Sequence, residues 1–253
     1  MTSKTDKALV VPFPDPLLER SQRPLEQVAG DELVGVVTAA GGVPVIEDEW
    51  LDELADGLSE AAWVELDLTP RLPPGLLEAL RNEVAILDKT EAMNRAGIGR
   101  GASLIQDRSV RRDRIAWLEG CSETQRLLFD FLEQVRTGLN QRLYLGLKRF
   151  EAHYATYQPG DFYKRHLDSF RGRASRVVSL VLYLNEDWGL EDGGELRVFG
   201  ATDVDQVVGQ VSPEAGRAVL FLSEQIPHEV LPARRTRYSI ACWFRQDEVP
   251  LPL

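Results

Sequence analysis

Cysteine is nearly absent from this chain of 253 residues, which holds Cys121 and Cys242 and no others. Two thiols so far apart cannot form a disulfide framework, and neither sits in the CxxC spacing of a zinc or redox site. A reducing, cytoplasmic setting is the plain expectation. Long apolar runs are missing too. None approaches the roughly 18 residues of a membrane span, and the start MTSKTDKALVVPFPDP carries no apolar core or cleavage site of a secretory signal. Positive charge is in deficit, with 40 acidic residues against 29 basic ones and a formal charge of −11. A field of that sign disfavours nucleic acid and anionic lipid as partners. The segment RSVRRDR at 108–114 does gather Arg108, Arg111, Arg112 and Arg114, but such a run is ordinarily a solvated basic face. What remains is an ordinary soluble composition, 43% hydrophobic and 27% charged, long enough for one large domain or a domain with an extension. It says nothing of oligomeric state.

Residues 1–45 read as an extension of unknown role, broken by Pro12, Pro14, Pro16 and Pro24 and closed by Gly41-Gly42. The apolar run at 33–37 fits one strand or a short helix. From there to residue 253 the chain reads as one domain, with a helical part over 46–145 and a β-rich core over 146–246. Trp50, Leu51, Leu54, Leu58 and Ala61 recur at helical spacing, as do Leu76, Leu77, Leu80 and Val84 after a cluster of prolines. WVELD at 63–67 alternates like a strand between them. Leu127, Leu128, Phe131, Leu132, Val135 and Leu139 predict a third helix across 122–143. Beyond Leu145 short β-favouring segments take over, at 150–157, 176–184, 194–199, 216–222 and 237–244, separated by Gly, Pro, Asp and Asn. The expected fold is therefore α+β, with N-terminal helices packed on the outer face of a double-stranded β-helix, or jelly roll.

Histidine is scarce as well, and two of the three histidines fall in a suggestive pattern. His166 and Asp168 form a His-x-Asp pair whose side chains share a face of an extended strand. His228 lies 62 residues on, followed nine residues later by Arg237. Two imidazoles and one carboxylate suit a divalent iron that keeps coordination positions open. A His-x-Asp pair alone arises by chance in many chains. Arg237 by itself reads as a surface residue like Arg234 and Arg235, yet on a buried strand its planar fork would bind a carboxylate bidentately. Tyr183, in the earlier strand, is placed to add a phenol hydroxyl to the same anion.

Four blocks extend the pattern in order along the chain: RRDRIAWLEG (111–120), YQPGDFYKRHLD (157–168), LYLNEDW (182–188) with GGELRVF (193–199), and PHEVLPARRTRYSIACWF (227–244). Together they resemble the 2-oxoglutarate and Fe(II)-dependent dioxygenases, and within them the prolyl hydroxylases of the oxygen-sensing type and their bacterial relatives. The resemblance spans roughly residues 50–246. It implies a jelly-roll core, His166, Asp168 and His228 as iron ligands, and Arg237 with Tyr183 on the distal carboxylate of 2-oxoglutarate. Tyr157, Arg111, Asp113 and Trp243 fall at the family's substrate or supporting positions. There are departures. His153 takes the place of an apolar pocket residue, Gln158 separates Tyr157 from Pro159-Gly160, the loop before His166 is shorter, and Arg112 replaces a glycine.

The implied reaction hydroxylates a prolyl residue of a protein substrate as 2-oxoglutarate and O2 become succinate and CO2, with ascorbate as a reductant. Two other readings stay open. One is the same chemistry on another side chain or a small metabolite, since the entrance loop differs. The other is a non-catalytic jelly roll that binds or senses a ligand.

Overall fold

The computed structural model describes residues 43–97, 107–169 and 176–246. The run at 33–37, and most of the expected extension, lie outside these residues. Three helices form where the apolar spacing places them: α1 (Asp48–Ala61), α2 (Leu76–Lys89) and α3 (Glu123–Leu143). Ser122 caps α3 by accepting a hydrogen bond from the Gln125 amide at 3.1 Å, which satisfies one of the open donors of the first turn.

Strands β1 (Trp63–Asp67), β2 (Asn94–Arg95), β3 (Arg114–Trp117), β4 (Arg149–Tyr157), β6 (Arg176–Tyr183), β9 (Arg217–Leu222) and β11 (Arg237–Arg245) make one sheet. Its order is β1-β9-β6-β11-β4-β3-β2. A second sheet runs β5-β10-β7-β8, from β5 (Tyr163–His166), β7 (Leu196–Phe199), β8 (Val207–Val211) and β10 (His228–Val230). Every ladder between these strands is antiparallel.

The period of two along the central strands divides the apolar residues between two cores. Ala152 and Tyr154 of β4, Leu180 and Leu182 of β6, and Ile240, Cys242 and Phe244 of β11 join Leu54, Leu58, Leu80, Val84 and Phe131 of the helices in one cluster. The intervening Ala155, Tyr157, Tyr183 and Trp243 meet Tyr163, Leu196, Val198 and Val230 of the smaller sheet in a second cluster. Strands covered on both faces read as nearly continuous apolar runs, which is why β6, β9 and β11 stand out in the sequence.

The larger sheet also takes strands from ahead of residue 145. β1, expected as a strand at 63–67, pairs with β9, and β3, which was not expected, pairs with β4 in the larger sheet. RIAW is too short and too closely bordered by arginines to display an alternation. YKRH, VVGQV and HEV escaped notice for the same reason, being brief and interrupted by polar residues. Leu80 is fully buried where helices meet sheet. Leu80→Ala is expected to lower stability by about 2–5 kcal/mol, measured from the urea midpoint.

Candidate metal and anion site

His166 ends β5 and His228 begins β10, and the two residues face each other directly across the ladder. Asp168 follows two residues after the end of β5. His166 Nε2 lies 3.5 Å from Asp168 Oδ1, and His228 Nε2 lies 3.7 Å from the same oxygen. One donor atom from each of the three residues falls within a span of 4.8 Å, and all three are buried. The hydrogen bonds settle the tautomers. His166 Nδ1 donates to the Lys164 carbonyl at 2.8 Å, and His228 Nδ1 donates to the Ile226 carbonyl at 3.1 Å. A carbonyl can only accept, so each neutral ring directs the lone pair of Nε2 into the cluster.

Burial opposes ionisation of Asp168, but the two imidazoles and the Ser179 hydroxyl outweigh it and hold the carboxyl well below its usual range. Ser179 Oγ donates to Asp168 Oδ2 at 2.6 Å and is itself 2.8 Å from Ser223 Oγ. Burial, with His166 beside it, pushes the His228 imidazole down to about 4. Two imidazole nitrogens and one carboxylate oxygen therefore converge. That donor set fits Fe(II).

A cavity bordered by these ligands runs between the sheets and is lined by Arg111, His153, Tyr157, Tyr163, Trp243 and Arg237, with Ala155, Val181, Leu196 and Val230 as its apolar wall. Arg237 is 1% exposed. Its Nε donates to the Gly194 carbonyl at 2.8 Å and its Nη1 to Ser239 Oγ at 3.0 Å, while Nη2 has no hydrogen-bond partner. No carboxylate of the described residues pairs with it. Gly194 has φ +74°, and a Cβ there would come within 3.1 Å of Arg237 Cδ, so the guanidinium's seat depends on glycine. The Tyr157 and Tyr183 rings lie 4.9 and 5.0 Å from the guanidinium carbon. Tyr183 shares a face of β6 with Val181 of the cavity wall, and its buried hydroxyl also has no hydrogen-bond partner. Burial pushes that phenol up, against the pull of the Arg237 cation, so it is a donor at neutral pH. A buried cation with an open donor, beside a second open donor, fits the far carboxylate of a dicarboxylate such as 2-oxoglutarate.

The remaining sequence candidates gather around the same cavity. Arg111 grips Asp113 through two bonds, Nε to Oδ1 at 2.5 Å and Nη2 to Oδ2 at 2.8 Å. Its guanidinium carbon lies 4.6 Å from the Tyr163 ring centre, and Tyr163 stacks on His166 at 3.6 Å. Burial would lower Arg111's pKa, but the charge of Asp113 and the bonds to it raise it further above its ordinary value. His153 is wedged edge-on between Trp117 at 5.2 Å and Trp243 at 5.1 Å, and its Nδ1 donates to the Tyr154 carbonyl. Sequence reasoning passed over Ser179, Ser223 and Tyr163. Ordinary alternation would put Tyr163 and His166 on opposite faces. An irregularity opposite β10, where the register shifts between His228 and Val230, lets both point inward.

Residues 152–245 match the family described as the 2OG-Fe(II) oxygenase superfamily. The chain belongs to this superfamily. Relatives that the chain resembles include prolyl hydroxylases. A solved prolyl-4-hydroxylase from Pseudomonas putida is 40% identical, with a TM-score of 0.70 over 78% of this chain and 99% of that one. A Trichoplax adhaerens prolyl hydroxylase, solved with a peptide of the oxygen degradation domain of hypoxia inducible factor, is 25% identical with a TM-score of 0.69, over 79% of this chain and 90% of that one. Human Egl nine homolog 1 is 32% identical over 170 residues, 62% of this chain. The match spans 39% of that relative's length, so the chain covers less than half of it.

Burial, reinforced by the nearby Arg111 and Arg176 cations, pushes the His153 imidazole down to about 3. Folded protein therefore leaves His153 unprotonated where the unfolded chain, with a pKa near 6.5, takes up a proton. The unfolded state binds more protons, so this contribution to stability is present above about pH 6.5 and declines as pH falls towards 3. Metal-free protein should lose roughly 1–2 kcal/mol through His153 between pH 7 and 5. Urea titrations at the two pH values should show His153→Phe with a correspondingly weaker dependence. An unchanged dependence would contradict the buried neutral imidazole.

Proposed function

We propose that this protein is a 2-oxoglutarate- and Fe(II)-dependent dioxygenase that hydroxylates a prolyl residue in a protein substrate, with conversion of 2-oxoglutarate and O2 to succinate and CO2. One observation carries the reading: the three-residue donor cluster and Arg237, a buried residue with one nitrogen that has no hydrogen-bond partner, line a single cavity. In this reading the fold is a jelly roll whose helices cover the outer face of its larger sheet. Residues 46–253 form the oxygenase domain, and residues 1–45 an extension.

His166, Asp168 and His228 would hold the iron, and Arg237 with Tyr183 would receive the far carboxylate of 2-oxoglutarate. Iron and co-substrate together supply the oxygen activation that attack on an aliphatic C–H bond requires. The chain supplies position and dryness. Nδ1–H bonds to backbone carbonyls keep both imidazoles turned to the metal, and Ser179 keeps the Asp168 carboxylate from rotating. The apolar wall excludes water and strengthens the pairing of Arg237 with its anion. Tyr157, Trp243, His153 and the Arg111–Asp113 pair line or support the cavity next to the metal cluster, where a substrate side chain would enter. The prolyl hydroxylase relatives, one of them solved with a bound peptide, support a prolyl residue of a polypeptide as that substrate. The acidic balance of the chain argues against nucleic acid. No helix of the described residues is long and apolar enough to cross a membrane, and the scarcity of cysteine fits a cytoplasmic enzyme.

Protein supplied with Fe(II), 2-oxoglutarate and ascorbate should release succinate slowly alone and faster with the true substrate. Peptides in a treated lysate should gain one oxygen atom at proline, read by mass spectrometry. Hydroxylated metabolites with no modified peptide would shift the substrate to a small molecule. Iron-loaded protein that turns over nothing would sink the oxygenase reading. Asp168→Ala and His228→Ala should each abolish iron binding or turnover. Arg237→Ala should weaken 2-oxoglutarate binding by about 3–5 kcal/mol, more than 100-fold, since the carboxylate would be buried without its partner. An unchanged affinity in that variant would refute the assignment of Arg237.

A further inference from the structure

Asp88 lies in the last turn of α2, where the helix dipole disfavours a carboxylate. A residue placed against its local preference points to a role in the tertiary structure. Three separate segments converge on it. Arg114 of β3 pairs with Asp88 Oδ1 through Nη2. Gln158, just past the end of β4, donates Nε2 to Oδ2 at 2.9 Å and more weakly to Oδ1 at 3.3 Å. The Tyr238 hydroxyl of β11 reaches Oδ2 at 3.4 Å, and Thr236 Oγ1 donates to Gln158 Oε1 at 3.3 Å.

Each partner is one residue away from a group at the cavity. Arg114 follows Asp113, which holds Arg111. Gln158 follows Tyr157, and Tyr238 follows Arg237. The register makes the relation geometric. Arg114, Thr156 and Tyr238 stand opposite one another across β3, β4 and β11, and Tyr157 and Arg237 form the adjacent pair. Successive strand residues point to opposite faces. The row held by Asp88 therefore backs directly onto the row that carries the anion-binding end of the cavity. Burial, then the charge of Asp88 and the bond to it, push the Tyr238 phenol up to about 12, so it remains a donor to the carboxylate.

We propose that Asp88 is a positioning residue for the co-substrate: acting through Gln158 and Tyr238, it fixes the strand ends bearing Tyr157 and Arg237 and so sets the affinity for 2-oxoglutarate. The inference rests on the co-substrate reading given above. The metal ligands belong to other elements, so their affinity for a divalent ion is independent of the clamp.

The test uses the full-length chain loaded anaerobically with Mn(II) and titrated with 2-oxoglutarate by calorimetry, beside Asp88→Ala and Gln158→Leu. The second variant keeps the Asp88–Arg114 pair and cuts the link to β4, so it serves if the first folds poorly. Both should bind 2-oxoglutarate about 5- to 20-fold more weakly, the usual scale for loss of a coupled polar contact. Mn(II) affinity should stay within about twofold, and in turnover KM for 2-oxoglutarate should rise while kcat holds. Asp88→Asn, which keeps the shape and loses the charge, should lie between wild type and Asp88→Ala. Unchanged 2-oxoglutarate binding in both variants, or a parallel fall in Mn(II) affinity, would overturn the proposal, because a merely structural role predicts one or the other. Wild-type protein that takes Mn(II) but no 2-oxoglutarate would overturn the co-substrate reading and this inference with it.

Discussion

Arg237 is a cation almost wholly withdrawn from water, and no carboxylate of the described residues neutralises it. A buried charge of this kind is costly until an anion arrives. Much of the surrounding architecture bears on that cost. The Gly194 carbonyl and the Ser239 hydroxyl take two of its donors, and the rings of Tyr157 and Tyr183 cover it. One nitrogen is left without a hydrogen-bond partner in a residue that lines the cavity. The fold thus holds a ready half of an ion pair, with the other half to be brought by a ligand.

The metal cluster obeys the complementary rule. Burial holds the His228 imidazole below its ordinary range, carbonyl acceptors on the far nitrogens orient both rings, and one carboxylate is kept ionised by the imidazoles and a serine. In the proposed reading, a site assembled this way would take a divalent ion and leave the Arg237 end for a dianion. The two requirements are met from different sheets. Asp168 and both histidines lie on or just after strands of the smaller sheet, whereas Arg237 belongs to the larger one. The distance between metal and anion positions is therefore set by the packing of one sheet against the other, through Leu196, Val198 and Val230 on one side and Ala155, Tyr157 and Trp243 on the other.

Much of this was legible in the chain. The helical periods around Leu54, Leu80 and Phe131, and the apolar runs of β4, β6, β9 and β11, predicted elements that the structure contains, because strands and helices buried along whole faces must repeat their apolar residues at fixed intervals. The His-x-Asp spacing, the distal histidine and Arg237 announced a site because few other arrangements use those residue types together. Illegible were the elements whose identity comes from their neighbours. β5 and β10 are held by pairing and by the bulge between them, with too few apolar residues to signal a strand. Ser179 and Tyr163 acquire their roles from contacts across the sandwich, which no local pattern encodes.

The sequence by itself determined which atoms could bind a metal and an acid, since the chemistry of imidazole, carboxylate and guanidinium travels with the residue. It also determined the two faces of each long strand, since alternation is a local property of the backbone. Tertiary structure decided that His166, Asp168 and His228 meet within one ion's reach, that Arg237 is buried with one nitrogen open, and that Asp88 braces its strand from behind. These are relations between segments as much as 150 residues apart, and only the packed sheets bring such segments within the few ångströms over which coordination and hydrogen bonding act.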